Sequence, residues 1–246
     1  LSMAFCPVSF LQREEIIDEA HKNSGRRIKA SVTAYIEETV DDGYAYWNNW
    51  LKNQKLQQAA PLYEIIQRGE TYTDACDGNI SSSDVPSAFY CPEDVQQGDV
   101  TYEGVLVFPI ETMLEMQLGE VNGQYSERAG KFTVATTVTH EMGHWVQDVL
   151  IYQKAQLPLE PGKHQELMAD CFSGVWAATK YTDGTLTAAD FDAAVESREK
   201  AGDVNFTDPD HHGTPQERAN AWKLGYFGPN NAGYDPQNCI SEFWRS

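Results

Sequence analysis

Residues 132–152 read FTVATTVTHEMGHWVQDVLIY. Val134, Val138, Met142, Trp145 and Val149 recur at threes and fours, which predicts a long helix with one apolar stripe facing a core. The helix carries His140-Glu141-Met142-Gly143-His144, an H-E-x-x-H spacing, with both histidines on nearly the opposite side. Two histidines four apart project from one helix face, so their ring nitrogens can converge on one ion at about 2.0–2.1 Å. Glu141, turned by about 100°, reaches the open coordination position and can accept a proton from water held there. A shuffled chain of this composition would show the spacing roughly once in a hundred trials. The competing reading is two solvated surface histidines.

A catalytic zinc takes three protein ligands and leaves one position for water. The third candidate lies on the next predicted helix, 164–181. From Glu166 to Thr179 its only charges are Glu166 and Asp170, among Leu167, Met168, Phe172, Val175 and Trp176. A helix so apolar is mostly buried, and two buried carboxylates need cations or good donors. With Glu166 on the ion and Asp170 accepting from the far nitrogen of a ligand histidine, both needs are met. The plainer alternative is a Glu favoured by the helix dipole and an Asp bonded to backbone.

Outward from these helices the two halves of the chain differ. Helical signals occupy 10–23 and 29–58, the second with Val32, Ile36, Val40, Tyr44, Trp47 and Leu51 in register. The aromatics Tyr44, Tyr46, Trp47 and Trp50 read as core before they read as a binding groove. Strands are expected at 62–66, 71–73, 89–90 and 100–108, with a turn-rich loop at 76–87 and a helix at 111–118. A Gly/Asn/Ser-rich loop at 119–130 precedes the long helix. Further on, Thr187 with Asp190 and Thr214-Pro215-Gln216-Glu217 carry capping boxes that open helices. Strands precede the long helix and helices dominate after it, without β-α alternation. The fold class is therefore α+β: a small sheet with a mostly helical C-terminal half, organised as an N-terminal extension or helix at 1–30 and a domain at 31–246.

Composition narrows the functional classes. Lys+Arg number 18 against 37 Asp+Glu, a net charge of −19, which argues against binding a nucleic-acid backbone. No run approaches the roughly 18 apolar residues of a membrane span. The five cysteines form no zinc-finger pattern. They are either buried thiols or two disulfides with one cysteine left over. Spacing favours a local Cys76–Cys91 bridge, with Cys171–Cys239 then tying a helix to the C-terminal tail. Disulfides, and a chain beginning at Leu1 from which a leader has been removed, would place the protein outside the cytoplasm.

The chain resembles the bacterial neutral zinc metallopeptidases, related in active-site pattern to the thermolysin-like gluzincins. The likeness runs through Phe89-Tyr90-Cys91-Pro92-Glu93-Asp94, through 140–147, through Glu166-Leu-Met-Ala-Asp170-Cys171, and ends at His212-Gly213-Thr214-Pro215-Gln216-Glu217-Arg218. It covers about residues 60–240. Trp145 stands where a second consecutive His is common, and the stretch 114–131 looks long. The resemblance implies zinc at His140, His144 and Glu166, catalysis by Glu141, a minimal zincin fold, and both proposed cysteine bridges; Cys6 has no obvious partner.

His212, two residues before the Thr214 cap, can donate a hydrogen bond to an oxyanion or simply hold its loop. Tyr226 is a weaker oxyanion candidate. Arg218 is expected to pair with a buried carboxylate, and His21, His164 and His211 to be surface or structural. The expected function is an extracytoplasmic zinc peptidase, acting chiefly as an endopeptidase on a peptide or protein substrate with Glu141 as general base. The alternative is a secreted, zinc-stabilised binding or regulatory domain without hydrolysis. Oligomeric state is not legible.

Overall fold

The computed structural model describes residues 10–56, 60–73, 76, 80–82, 87–121, 124–125, 130–154, 162–205 and 211–244. Cys6, Pro158, Pro161, the side chain of His21 and most of the turn-rich stretch after Cys76 lie outside the described residues.

The two N-terminal helical signals merge into one helix, α1 (Phe10–Asn53). Gly25, which falls between them, costs a helix only about 1 kcal/mol and does not end it. Val32, Ile36, Val40, Trp47 and Leu51 are buried along one side of α1, with Tyr44, Tyr46 and Trp50 half-buried beside them. The core reading of the aromatics therefore holds.

Strands follow: β1 (Leu62–Ile66), β2 (Thr71–Thr73), β3 (Ile80–Ser82), β4 (Phe89–Cys91), β5 (Val95–Gln97), β6 (Val100–Tyr102) and β7 (Val105–Pro109). Three of them form a sheet in the order β1-β7-β4, with β1 parallel and β4 antiparallel to β7. Pairs β2-β3 and β5-β6 are separate antiparallel ribbons. The single strand expected at 100–108 is thus two. Gly104, at φ 90°, turns the chain between them, and a Cβ there would strike the Tyr90 ring. All five residues of β7 are buried, because the strand is central and covered on both faces. Leu106 and Phe108 face the main core, while Val105 and Val107 join Ile66 and Cys91 on the other side.

α2 (Ile110–Leu118) leaves β7 directly, and the loop expected at 119–130 contains a small hairpin, β8 (Glu120–Val121) with β9 (Gln124–Tyr125). The remaining helices are α3 (Lys131–Lys154), α4 (Lys163–Thr182), α5 (Ala188–Ala201), α6 (Pro215–Phe227) and α7 (Pro236–Phe243). Both capping boxes form, at Thr187/Asp190 and Thr214/Glu217. α7 was not expected, although Asp235-Pro236 is a good start signal: Asp235 accepts from the Gln237 amide and Pro236 fills the first helical position.

α3 runs through the middle of the molecule. Its apolar stripe meets α1 and the sheet, and its other side meets α4 and α5. Thr136 and Thr139 can be buried there because their hydroxyls return to carbonyls one turn back, and Thr139 also meets Ser173 of α4 at 2.8 Å. α4 and α6 cross with their backbones nearly touching: a Cβ on Gly174 would sit 2.0 Å from the Trp222 carbonyl oxygen, and one on Gly225 1.9 Å from that of Cys171. Two disulfides form, Cys76–Cys91 joining the loop to β4 and Cys171–Cys239 joining α4 to α7. The result is an α+β molecule with its sheet at one side and helices elsewhere. Among the described residues, no helix is long and apolar enough to cross a membrane.

Candidate metal centre

His140 and His144 sit mid-way along α3, and Glu166 in the first turn of α4. What lets the two helices meet is Gly143, inside the histidine motif. A Cβ at that position would lie 2.9 Å from the Ala169 Cα and 3.0 Å from its carbonyl oxygen. With only hydrogen there, α4 packs close enough for Glu166 to reach both imidazoles. Its Oε2 is 3.2 Å from His140 Nε2 and its Oε1 3.3 Å from His144 Nε2. The three side chains offer ligand atoms within 4.8 Å of one another.

The donor set suits zinc. A tetrahedral ion with bonds of about 2.0–2.2 Å holds its ligands about 3.3–3.6 Å apart, close to the two nitrogen–oxygen separations found. The electrostatics agree. Burial works to lower the His144 pKa, yet the Glu166 charge and hydrogen bond carry it up to about 9. Burial alone would raise the Glu166 pKa, and the imidazoles of His144 and His140 outweigh it and hold the carboxyl well below its usual range. Nitrogens and oxygens arranged this way favour an added positive charge between them.

The outer nitrogens are also held. His140 Nδ1 lies 2.8 Å from Asp170 Oδ1, an ion-pair approach rather than an in-line hydrogen bond. His144 Nδ1 faces Gln147 Oε1 at 3.1 Å, and Gln147 Nε2 donates to the Gln165 carbonyl at 2.8 Å. Both rings are thereby oriented with Nε2 inward. Asp170 is fully buried, so its charge requires partners. Arg218 supplies a two-pronged contact, Nε to Oδ2 at 2.5 Å and Nη2 to Oδ1 at 3.0 Å, and Arg198 adds Nη1 to Oδ1 at 3.1 Å. Burial raises the Asp170 pKa, but the Arg218 charge and then His140 dominate and depress it strongly.

His140, His144 and Glu166, with Arg198 and Arg218, line an open cavity of about 800 Å³. Along α3 its lining runs from Thr137 through His140, Glu141, His144 and Asp148 to Ile151. That is about 21 Å at 1.5 Å per residue. β4, the last strand in the order β1-β7-β4, borders it. Glu141 is buried on the cavity floor; burial raises its pKa, with His140 and His144 pulling the other way. His212 lines the same cavity, its side chain 52% exposed, on a loop tied down by Asp203, whose Oδ2 accepts the His212 amide at 2.9 Å.

A family model described as "Putative neutral zinc metallopeptidase" matches residues 9–235. The chain belongs to that family. Among curated proteins it is 27% identical over 231 residues to the uncharacterized protein YpfJ of Escherichia coli, covering 85% of this chain and 70% of that one. Uncharacterized proteins of Mycobacterium bovis and Mycobacterium tuberculosis are 29% identical over 171 residues, 59% of this chain and 53% of theirs. No solved structure matches.

Within this family member the predicted residues His140, Glu141, His144, Glu166 and His212 line one cavity, and Asp170 is buried against His140. Tyr226 does not. It stacks on Trp222 at 5.4 Å and packs against Phe191, away from the lining residues. Arg218 pairs with a buried carboxylate as expected, and His211 is held by Asp203. Sequence reading missed Arg198, the second cation on Asp170, whose Nη2 also reaches Thr137 Oγ1 at 3.1 Å. Its signal was present but faint: Arg198 falls four residues past Ala194 on the buried side of α5. Gln147 and Asp148 were missed as well, although they lie three and four residues past His144, on the same face of the helix.

Proposed function

We propose that this chain is a zinc-dependent peptidase, acting as an endopeptidase outside the cytoplasm, with the ion held by His140, His144 and Glu166. The observation that carries the reading is the convergence of those three ligand atoms beside the Glu141 carboxylate, on the floor of a cleft open along α3. A floor of about 21 Å accommodates roughly six residues of extended peptide, which suits cleavage within a chain rather than at its end. Bound zinc supplies two things there, polarisation of the scissile carbonyl and a lowered pKa for the attacking water.

The chain's own groups supply the rest. The Glu141 carboxylate accepts the proton of the attacking water and delivers it to the leaving amine nitrogen. Asp170, clamped by Arg198 and Arg218, keeps the His140 ring in place. His212 donates to the developing oxyanion from the cleft wall. A structural zinc site closed by a fourth protein group has no use for Glu141, which is why a purely zinc-stabilised binding domain is not adopted. Two disulfides suit an oxidising compartment.

The test is a pair of variants assayed on a random peptide library with zinc analysis. Glu141→Gln should keep one zinc per chain and lose turnover by at least about 10³-fold. His144→Ala should lose the metal. Turnover by Glu141→Gln at the wild-type rate would overturn the mechanism.

A further inference from the structure

Asp148 lies on α3 four residues past His144, so it projects from the same face into the same cleft. Its Oδ2 accepts a hydrogen bond from the Tyr90 hydroxyl at 2.8 Å, across from β4. Glu141 is buried on the cleft floor beside the ion site, and two further carboxylates there are matched by cations: Glu166 by the imidazoles and Arg218, and Asp170 by both arginines. Asp148 is not. Among the described residues, no Lys, Arg or His lies within ion-pair distance of it, and the charges nearest to it, Glu103 and Asp94, are also negative. Tyr90 fixes the carboxylate's orientation without neutralising it. Beside it the cleft is lined by apolar Ile151, from the next turn of α3, and by Pro92, just past β4. A charge facing a cleft next to apolar wall matches the two parts of a Lys or Arg side chain, whose methylenes cover apolar surface while the head group seeks an anion.

Resting on the peptidase reading above, we propose that Asp148 is the specificity-determining residue of the cleft, forming with Tyr90 a subsite for a Lys or Arg side chain of the peptide. Four residues of helix place it about 6 Å along the axis from His144, the reach of about two residues of extended chain. The favoured cation therefore falls within two positions of the scissile bond.

The experiment compares peptides carrying Lys, norleucine or Glu at each position around the cleaved bond, using the zinc-loaded protein. At one position within two residues of that bond, kcat/KM for Lys should exceed that for norleucine about tenfold at low salt. The ratio should fall to about one in Asp148→Asn and turn toward Glu in Asp148→Lys. A Lys preference that survives Asp148→Asn, or no cation preference at any position, overturns the proposal. The same peptides are titrated onto zinc-loaded Glu141→Gln by fluorescence anisotropy. Binding with the Lys preference but no cleavage by the wild type sustains the subsite and overturns the peptidase reading. Turnover without the preference does the reverse, and failure to bind either peptide overturns both.

Discussion

Asp148 is held at a cost to the fold. Burial, opposed by the Tyr90 hydrogen bond but reinforced by Glu103 and Asp94, pushes its pKa up to about 6. An unfolded Asp titrates near 3.9. Because the folded carboxyl binds its proton more tightly, the charge destabilises the fold above pH 6, and this cost disappears as pH falls below about 4. Asp148→Asn is therefore expected to raise the melting temperature at pH 7–8 and to leave it unchanged near pH 4. An equal shift at both pH values would contradict the assignment. Residues of this kind separate what the sequence made legible from what it did not. His140, His144 and Glu141 are fixed by one helix's own periodicity, and Glu166 and Asp170 by the cost of leaving them unpaired in an apolar helix. Arg198 and Asp148 depend on which helix and strand lie opposite, and one chain read alone does not contain that contact.

At the scale of elements, the position that brings the ligands together is a glycine. Gly143→Ala gains about 1 kcal/mol of helix propensity, but its Cβ meets the backbone of Ala169 at 2.9 Å. Backbone cannot swing aside as a flexible side chain can, so α4 must move and carry Glu166 with it. Overpacking of this kind costs about 1–3 kcal/mol, so the variant is expected to be less stable and to bind zinc more weakly than the wild type. Unchanged zinc affinity in a chelator competition would show that the close approach is not what sets the site. The bounds of α3 and α4 could be read to within one or two residues from their period, and the starts of α5 and α6 from their capping boxes. The breaks that could not be read depend on pairing. β6 and β7 separate at Gly104 because Tyr90 of β4 occupies the space beside it, and the β8-β9 hairpin sits in a stretch whose composition suggests only a loop.

The whole molecule is stapled at two places of unequal weight. Cys171–Cys239 closes a separation of 68 residues and Cys76–Cys91 one of 15. By chain entropy these are worth about 4.4 and about 3 kcal/mol respectively. Replacing Cys171 and Cys239 together by Ala should lower the denaturation midpoint more than replacing Cys76 and Cys91; the opposite order would contradict the view that α7 is stapled onto α4. The α+β class followed from element order alone, whereas the central place of β7 and the place of β4 beside the cleft follow from a sheet order that no local pattern encodes. The proposed function rests on one ion held at the bottom of that cleft. The direct measurement is an anomalous difference map at the zinc edge from crystals of the zinc-loaded protein. A single strong peak within about 2.2 Å of His140 Nε2, His144 Nε2 and a Glu166 carboxylate oxygen, with solvent as the remaining ligand, is the expected result; a peak without Glu166, or one whose fourth ligand is a side chain, would contradict it.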